Sequence, residues 1–177
     1  MEIGFQILDF IQSWRQPWLD EIMIFFSGLG DGGILWITAT LLLLFYKPTR
    51  RLGIACALSL LLSLLFCNLI MKPIFQRPRP FALRELELLI EGPQDGSFPS
   101  GHSCSSFAFA ATLAFMKRKS AWIAAVFAAL IAFSRLYLQV HFPGDVLAGA
   151  VLGCFCGFLA KRLLALLEKR WTEKKAK

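Results

Sequence analysis

Histidine is scarce in this chain, with two residues in 177, and charge is thin, with 18% charged residues against 56% hydrophobic. Soluble domains carry about 25% charged residues, so an ordinary water-soluble core is excluded. No internal repeat is visible, which excludes a solenoid, and no low-complexity linker divides the chain. One domain over residues 1–177 is expected: short helices over 1–30, a transmembrane core over 31–167 and a cytoplasmic tail over 168–177. The five cysteines (Cys56, Cys67, Cys104, Cys154, Cys156) all sit in apolar runs and read as buried free thiols. Cys154 and Cys156 would project to different sides of a helix, so no metal site is expected there. The first 20 residues include Glu2, Asp9, Arg15 and Asp20 and lack a basic start, which predicts no cleavable signal peptide.

What the chain does have is long apolar runs. Leu52–Met71 holds 20 residues without a charge, and at the rise of a helix covers about 30 Å, the hydrocarbon thickness of a bilayer. Ile34–Tyr46, Ser103–Met116 and Val146–Ala160 are shorter, and Ser120–Val140 carries Arg135 near its far end. The fold class that follows is all-α: a polytopic transmembrane helical bundle with five clear spans. The N-terminal 30 residues stay open between two readings. Phe5, Ile7, Leu8, Phe10, Ile11 and Trp14 form a broad apolar face, and Pro17 resets the chain before Leu19–Leu29. Either an interfacial helix precedes a short helix dipping into the membrane, or the segment is a sixth, partial span.

Loop charge gives an orientation. Lys47, Arg50 and Arg51, then Lys117, Arg118 and Lys119, then Lys161, Arg162 and the tail to Lys177 fall on one side if spans alternate. That side collects 13 of the 19 lysines and arginines and only Glu168 and Glu173; the other receives 6 bases and 10 acids. The positive-inside rule makes the basic side cytoplasmic. The basic tail reads as a helix end lying on anionic lipid headgroups. No basic patch is separable from these flanks, so no nucleic-acid partner is expected.

Ionisable groups at the ends of apolar spans are functional candidates by default. Three clusters stand out: Lys72 to Arg79-Pro80, Pro99-Ser100-Gly101-His102, and Ser134-Arg135 followed by His141 and Asp145. Counting crossings, all three lie on the face opposite the basic loops. Lys72, Arg79 and Arg135 offer cationic donors, and the planar guanidinium fork matches phosphate oxygens. Ser100-Gly101-His102 opens a helix, where free N–H groups favour an anion. Both histidines fall in these clusters, and two imidazoles can serve as nucleophile and general acid around phosphorus. Asp145, the only acid between Asp95 and Glu168, can orient the ring of His141 four residues earlier. Plainer roles exist for each alone: Lys72 and Arg79 as interfacial anchors, His102 as a helix-start residue, Asp145 as an N-cap or the salt-bridge partner of Arg135. The Phe81–Phe98 loop reads either as a cover for the site or as a solvated connection.

Lys72-x6-Arg79-Pro80, Pro99-Ser100-Gly101-His102 and Ser134-Arg135-x5-His141-x3-Asp145 together resemble the three signatures of the type 2 phosphatidic acid phosphatase family, at every signature position between residues 72 and 145. The resemblance implies a metal-independent, cofactor-free hydrolysis of a lipid phosphate held in the bilayer. His141 would attack phosphorus with Asp145 holding its ring, and His102 would protonate the leaving oxygen. Lys72, Arg79, Ser100, Gly101 and Arg135 would bind the phosphate. Vanadium haloperoxidases share these motifs but are soluble, which this chain is not. Small bacterial members with an outward-facing site in the cytoplasmic membrane often convert undecaprenyl diphosphate to the monophosphate. Phosphatidylglycerophosphate, phosphatidic acid and lipid A phosphates are the alternatives within the family. A non-enzymatic lipid or anion transporter is the alternative outside it.

Overall fold

The computed structural model describes residues 2–175, and among these every regular element is helical. The elements are α1 (Glu2–Gln12), α2 (Pro17–Gly30), α3 (Ile34–Phe45), α4 (Arg50–Ser63), α5 (Lys72–Phe75), α6 (Pro80–Leu83), α7 (Gly101–Phe115), α8 (Ala121–Tyr137) and α9 (Pro143–Lys175). Three stretches, Pro17–Phe45, Lys47–Leu83 and Pro143–Lys175, are long and apolar enough to cross a membrane, and Ala121–Tyr137 is a shorter apolar helix. Large side chains point outward along them, among them Phe45, Leu42, Leu69, Val151 and Phe155. In water such a surface would aggregate; in hydrocarbon it is the solvated face. The chain is a multi-pass helical membrane protein.

Small residues set how closely the helices approach. Gly149, Gly153 and Gly157 form a stripe at four-residue spacing on α9, against Ser100, Cys104, Ala108 and Thr112 of α7. A Cβ at Gly153 would stand 2.3 Å from the Cys104 carbonyl, and one at Gly149 would stand 2.5 Å from that of Ser100. Only glycine permits this contact. Within a bilayer, where apolar burial does little to join helices, such close packing is the main adhesive. Contacts advance together along both helices, so α7 and α9 run parallel and begin at the same end. Beside them, Trp36, Leu52, Phe109, Leu113 and Ile131 build the apolar core, and the Trp36 indole N–H is satisfied by Ser106 Oγ at 2.8 Å.

Two irregularities aim chain at that end. From Leu64 to Met71 the helix after α4 widens to π-type hydrogen bonding and delivers Lys72; such widenings recur at functional sites. Between α2 and α3, Gly32 and Gly33 adopt φ of +58° and +73°, values that glycine alone takes freely. This break puts Asp31 beside the start of α7. At the other end of the bundle, Arg51 at the start of α4 pairs with Glu168 of α9 at 2.6 Å, so the basic loops gather opposite the motif residues.

The amphipathic α1 lies at the motif end: Phe5 meets Phe142 edge-on at 5.2 Å, and Gln12 donates to the Tyr137 carbonyl at 2.6 Å. The helix α2 packs along α8, with Phe26 near Phe127 at 6.1 Å and Asp20 on the Tyr137 hydroxyl at 2.6 Å. Cys56, Cys67, Cys104 and Cys156 are buried as expected; Cys154 is exposed instead, on the outer face of α9. A helix with a glycine stripe inside must turn neighbouring positions toward lipid.

Gly153→Ala is expected to cost about 1–3 kcal/mol through overpacking, read as a fall of several degrees in the unfolding midpoint in detergent. Gly28→Ala, whose Cβ would meet nothing within 4 Å, serves as the control.

Candidate active site

The ends of α4–α5 and α8 and the starts of α7 and α9 converge on a cavity of about 630 Å³. Its polar part is lined by Lys72, Arg79, Gly101, His102, Arg135 and His141. Five separate stretches of sequence therefore supply one site.

Lys72 and Arg79 point at the same carboxylate. Lys72 Nζ pairs with Asp95, and Arg79 Nη2 reaches Asp95 Oδ1 at 2.6 Å while its Nε donates to the Asp95 carbonyl at 2.9 Å. Burial alone would raise the pKa of Asp95, but these two cations outweigh it and hold it at about 2. The Phe81–Phe98 loop thus does both things considered for it. Glu85, Glu87 and Glu91 face solvent, Leu88, Leu89 and Ile90 pack against the end of α8, and Asp95 reaches the cations.

Arg79 also fixes the chemistry of His141. Its Nη1 donates to the Val140 carbonyl at 2.6 Å and lies 3.2 Å from His141 Nε2. A guanidinium can only donate, so Nε2 accepts and is the unprotonated nitrogen of the ring, and both side chains line the cavity. His141 is 1% exposed, and Asp145 behind it is fully buried. Asp145 Oδ2 stands 3.7 Å from His141 Nδ1, beyond a hydrogen bond. The Ser97 hydroxyl touches both, at 3.4 Å from Nδ1 and in a short bond to Asp145 Oδ2.

His102 lies across the cavity, held at the start of α7. Its Nε2 faces Asp31 Oδ1 at 2.8 Å, and since a carboxylate accepts, this nitrogen bears the proton. Gly30 makes room for the ring: a Cβ there would sit 2.5 Å from His102 Cδ2. Arg135 is 2% exposed. One Nη donates to the Ser27 hydroxyl, while its Nε has no partner among the described residues. A buried donor of this kind is costly unless an anion completes it.

Ser100 behaves differently from its neighbours. Its hydroxyl accepts from the Ser103 N–H at 3.4 Å and from the Ser103 hydroxyl at 3.1 Å, capping α7. Gly101 lines the cavity, but the Ser100 side chain is buried outside its lining. The Ser100 N–H donates to the Asp145 carbonyl at 3.0 Å, which ties the second motif to the third. Asp145 pairs with Arg77 rather than with Arg135.

Asp31, Arg77 and Ser97 were not singled out from sequence. Each had a faint signal: a lone acid in Gly30-Asp31-Gly32-Gly33, an arginine repeated one residue apart in Arg77-Pro78-Arg79-Pro80, a serine just upstream of Pro99. The apolar part of the cavity continues between α3 and α4, along Ile37, Leu41, Leu44, Leu60, Leu61 and Leu64.

Residues 52–168 match the family model of the PAP2 superfamily. The chain belongs to that superfamily. Among its relatives is an undecaprenyl-diphosphatase of Sulfolobus acidocaldarius, 35% identical over 82% of this chain and 70% of the relative. A lipid A 4'-phosphatase of Bacteroides thetaiotaomicron is 31% identical over 94% of this chain and 81% of its own length. In three dimensions the chain resembles the transmembrane PAP2-type phosphatidylglycerolphosphate phosphatase of Bacillus subtilis: TM-score 0.75 and 30% identity, covering 92% of this chain and 84% of that one. The PAP2 chain described here is a membrane-embedded lipid phosphate hydrolase.

Because Asp95 competes with any anion for Lys72 and Arg79, Asp95→Asn is expected to lower the inhibition constant of inorganic phosphate. The expected change is about 3- to 10-fold, equivalent to roughly 1 kcal/mol, read by competition kinetics. A constant that rises instead would make Asp95 a support for the clamp rather than its competitor.

Proposed function

We propose that the enzyme removes the terminal phosphate of a lipid diphosphate, with undecaprenyl diphosphate converted to the monophosphate as the best candidate, through a phosphohistidine on His141. The observation that carries this reading is that both imidazoles line one cavity, His141 with Nε2 accepting from Arg79 Nη1 at 3.2 Å and His102 with Nε2 donating to Asp31.

In the first step the Nε2 lone pair attacks phosphorus and the bond to the leaving oxygen breaks. His102, acting as the imidazolium, gives its Nε2 proton to that oxygen and is left neutral, and the lipid departs one phosphate shorter. In the second step a water attacks the phosphohistidine, His102 now accepts a proton, and the N–P bond breaks to release inorganic phosphate. Lys72, Arg79 and Arg135 donate to the phosphoryl oxygens, whose charge they stabilise in the transition state. The Gly101 backbone at the start of α7 adds an anion-favouring end. Ser100 supports this wall as a helix cap, and Asp145 acts on His141 as a positioning residue. No cofactor enters this scheme.

An apolar chain fits the extension between α3 and α4, which opens from the cations into a leucine-lined groove. An isoprenoid suits such a groove, and one of the relatives named above is an undecaprenyl-diphosphatase. The site faces the extracytoplasmic side of a bacterial cytoplasmic membrane in this scheme, because the loop charge is concentrated at the opposite end. Phosphatidylglycerophosphate and lipid A phosphates present the same phosphoryl group and are the competing substrates.

Purified enzyme in detergent is expected to release phosphate from undecaprenyl diphosphate with EDTA present, faster than from phosphatidylglycerophosphate or a lipid A phosphate. His141→Ala should lose at least 10³-fold in kcat, as removal of a nucleophile does. Full activity of that variant would sink the mechanism; a preference for the other lipids would change only the substrate. A cysteine placed at Gln94 of a cysteine-free variant should react with an impermeant thiol reagent in intact cells, and protection there would invert the orientation.

A further inference from the structure

Two side chains outside the motif positions grip Asp145 from both sides. Arg77 Nη1 donates to Oδ1 at 2.7 Å. The Ser97 hydroxyl bonds Oδ2, which also takes the Phe142 N–H at 2.9 Å. The two residues are joined to each other as well: the Ser97 N–H donates to the Arg77 carbonyl at 2.9 Å. The Arg77 guanidinium lies over the Phe142 ring at 4.6 Å, so the residue after His141 is held by the same group.

Proton counting gives Ser97 a direction. An ionised carboxylate only accepts, so the Ser97 O–H is committed to Asp145. The oxygen of Ser97 is then free to accept, and the neighbour facing it is His141 Nδ1 at 3.4 Å. With Nε2 already unprotonated against Arg79, the ring proton sits on Nδ1 and donates toward Ser97. The direct separation from Nδ1 to Asp145, at 3.7 Å, is longer than the Nδ1 contact with Ser97 at 3.4 Å.

We propose that Arg77 and Ser97 are positioning residues for phosphoryl transfer: Arg77 locks the Asp145 carboxylate, and Ser97 passes that constraint to His141 Nδ1, keeping the Nε2 lone pair aimed at phosphorus. The proposal rests on the reading of His141 as nucleophile. Neither side chain lines the cavity. Arg77 binds the outer oxygen of Asp145 from a half-exposed position, and Ser97 is buried behind the imidazole. Their loss should therefore slow the chemical step and leave ground-state binding alone. A tie that merely pinned α9 to the Gln76–Pro80 segment would act on stability and would not separate kcat from KM.

The test uses full-length enzyme in detergent, with a lipid diphosphate as substrate and inorganic phosphate as competitive probe. Arg77→Gln and Ser97→Ala are expected to lower kcat about 10- to 100-fold, the scale of a slightly misdirected reacting group. KM and the phosphate inhibition constant should stay within about twofold, because Lys72, Arg79 and Arg135 are untouched. Arg77→Lys should recover most of the rate, since an ammonium can still pair with Oδ1. Wild-type kcat in both Arg77→Gln and Ser97→Ala overturns the proposal, as does a loss of kcat matched by an equal rise in KM. His141→Ala separates the two levels: inert, beside a fully active Arg77→Gln, it leaves the nucleophile standing and removes the positioning roles. A fully active His141→Ala removes the nucleophile reading itself. Should Arg77→Gln fail to fold, Ser97→Ala decides, since it deletes one oxygen and no charge.

Discussion

Cations held in a low-dielectric wall must be neutralised, and that constraint organises this molecule. Lys72, Arg79 and Arg135 are all nearly inaccessible to solvent, at the ends of helices whose outer faces meet hydrocarbon. Burying three like charges together is prohibitive without anions among them. The chain supplies carboxylates from outside the signature cations: Asp95 from a loop onto Lys72 and Arg79, Asp31 from a glycine break onto His102. Both are more than half exposed, so either can exchange its partner for water at small cost. Asp145 is the contrasting case. It is fully buried, engaged through both oxygens, and therefore fixed.

That contrast separates exchangeable from permanent charge compensation. An exchangeable partner keeps the empty site stable without lowering its affinity beyond recovery, because a solvated carboxylate returns to water at little cost. A permanent partner is worth its desolvation only if it holds a geometry that cannot be allowed to drift. The array Arg77–Asp145–Ser97–His141 has this property, since both oxygens of Asp145 are engaged and the carboxylate is fully buried. Arg135 lies between the two cases, with one donor on Ser27 and another without a partner among the described residues.

The sequence made the motif residues legible because polar groups in an apolar chain carry their own signal. Lys72, Arg79, His102, Arg135 and His141 could be placed at one end by counting spans and loop charge alone, and all five line one cavity. Asp31, Arg77 and Ser97 escaped because each has an ordinary local explanation: a turn acid, a flanking arginine, a polar residue in a loop. Their importance comes from contacts 44 to 71 residues away along the chain, which periodicity does not encode. Ser100 is legible only in part. Its place beside Gly101 and His102 suggested a phosphate ligand, and the structure adds a second role, since its hydroxyl accepts from Ser103 as the cap of α7.

The glycine stripe on α9 shows how packing and chemistry are joined. Gly149-x3-Gly153-x3-Gly157 was present as a pattern, yet nothing in it points to catalysis. In the structure it brings the backbone of α9 against that of α7 at the level where one helix begins with Gly101-His102 and the other with His141 and Asp145 just before and within its first turn. The Ser100 N–H then reaches the Asp145 carbonyl. The two histidines therefore keep their separation because two parallel helices cannot slide without driving a carbonyl into a neighbouring Cα. A side chain on that stripe would move both histidines at once, although it lies a full helix turn or more below the cavity. The precision of the site is stored in the least chemical residues of the chain, and the bilayer, which offers little other force to hold helices together, is the reason it has to be.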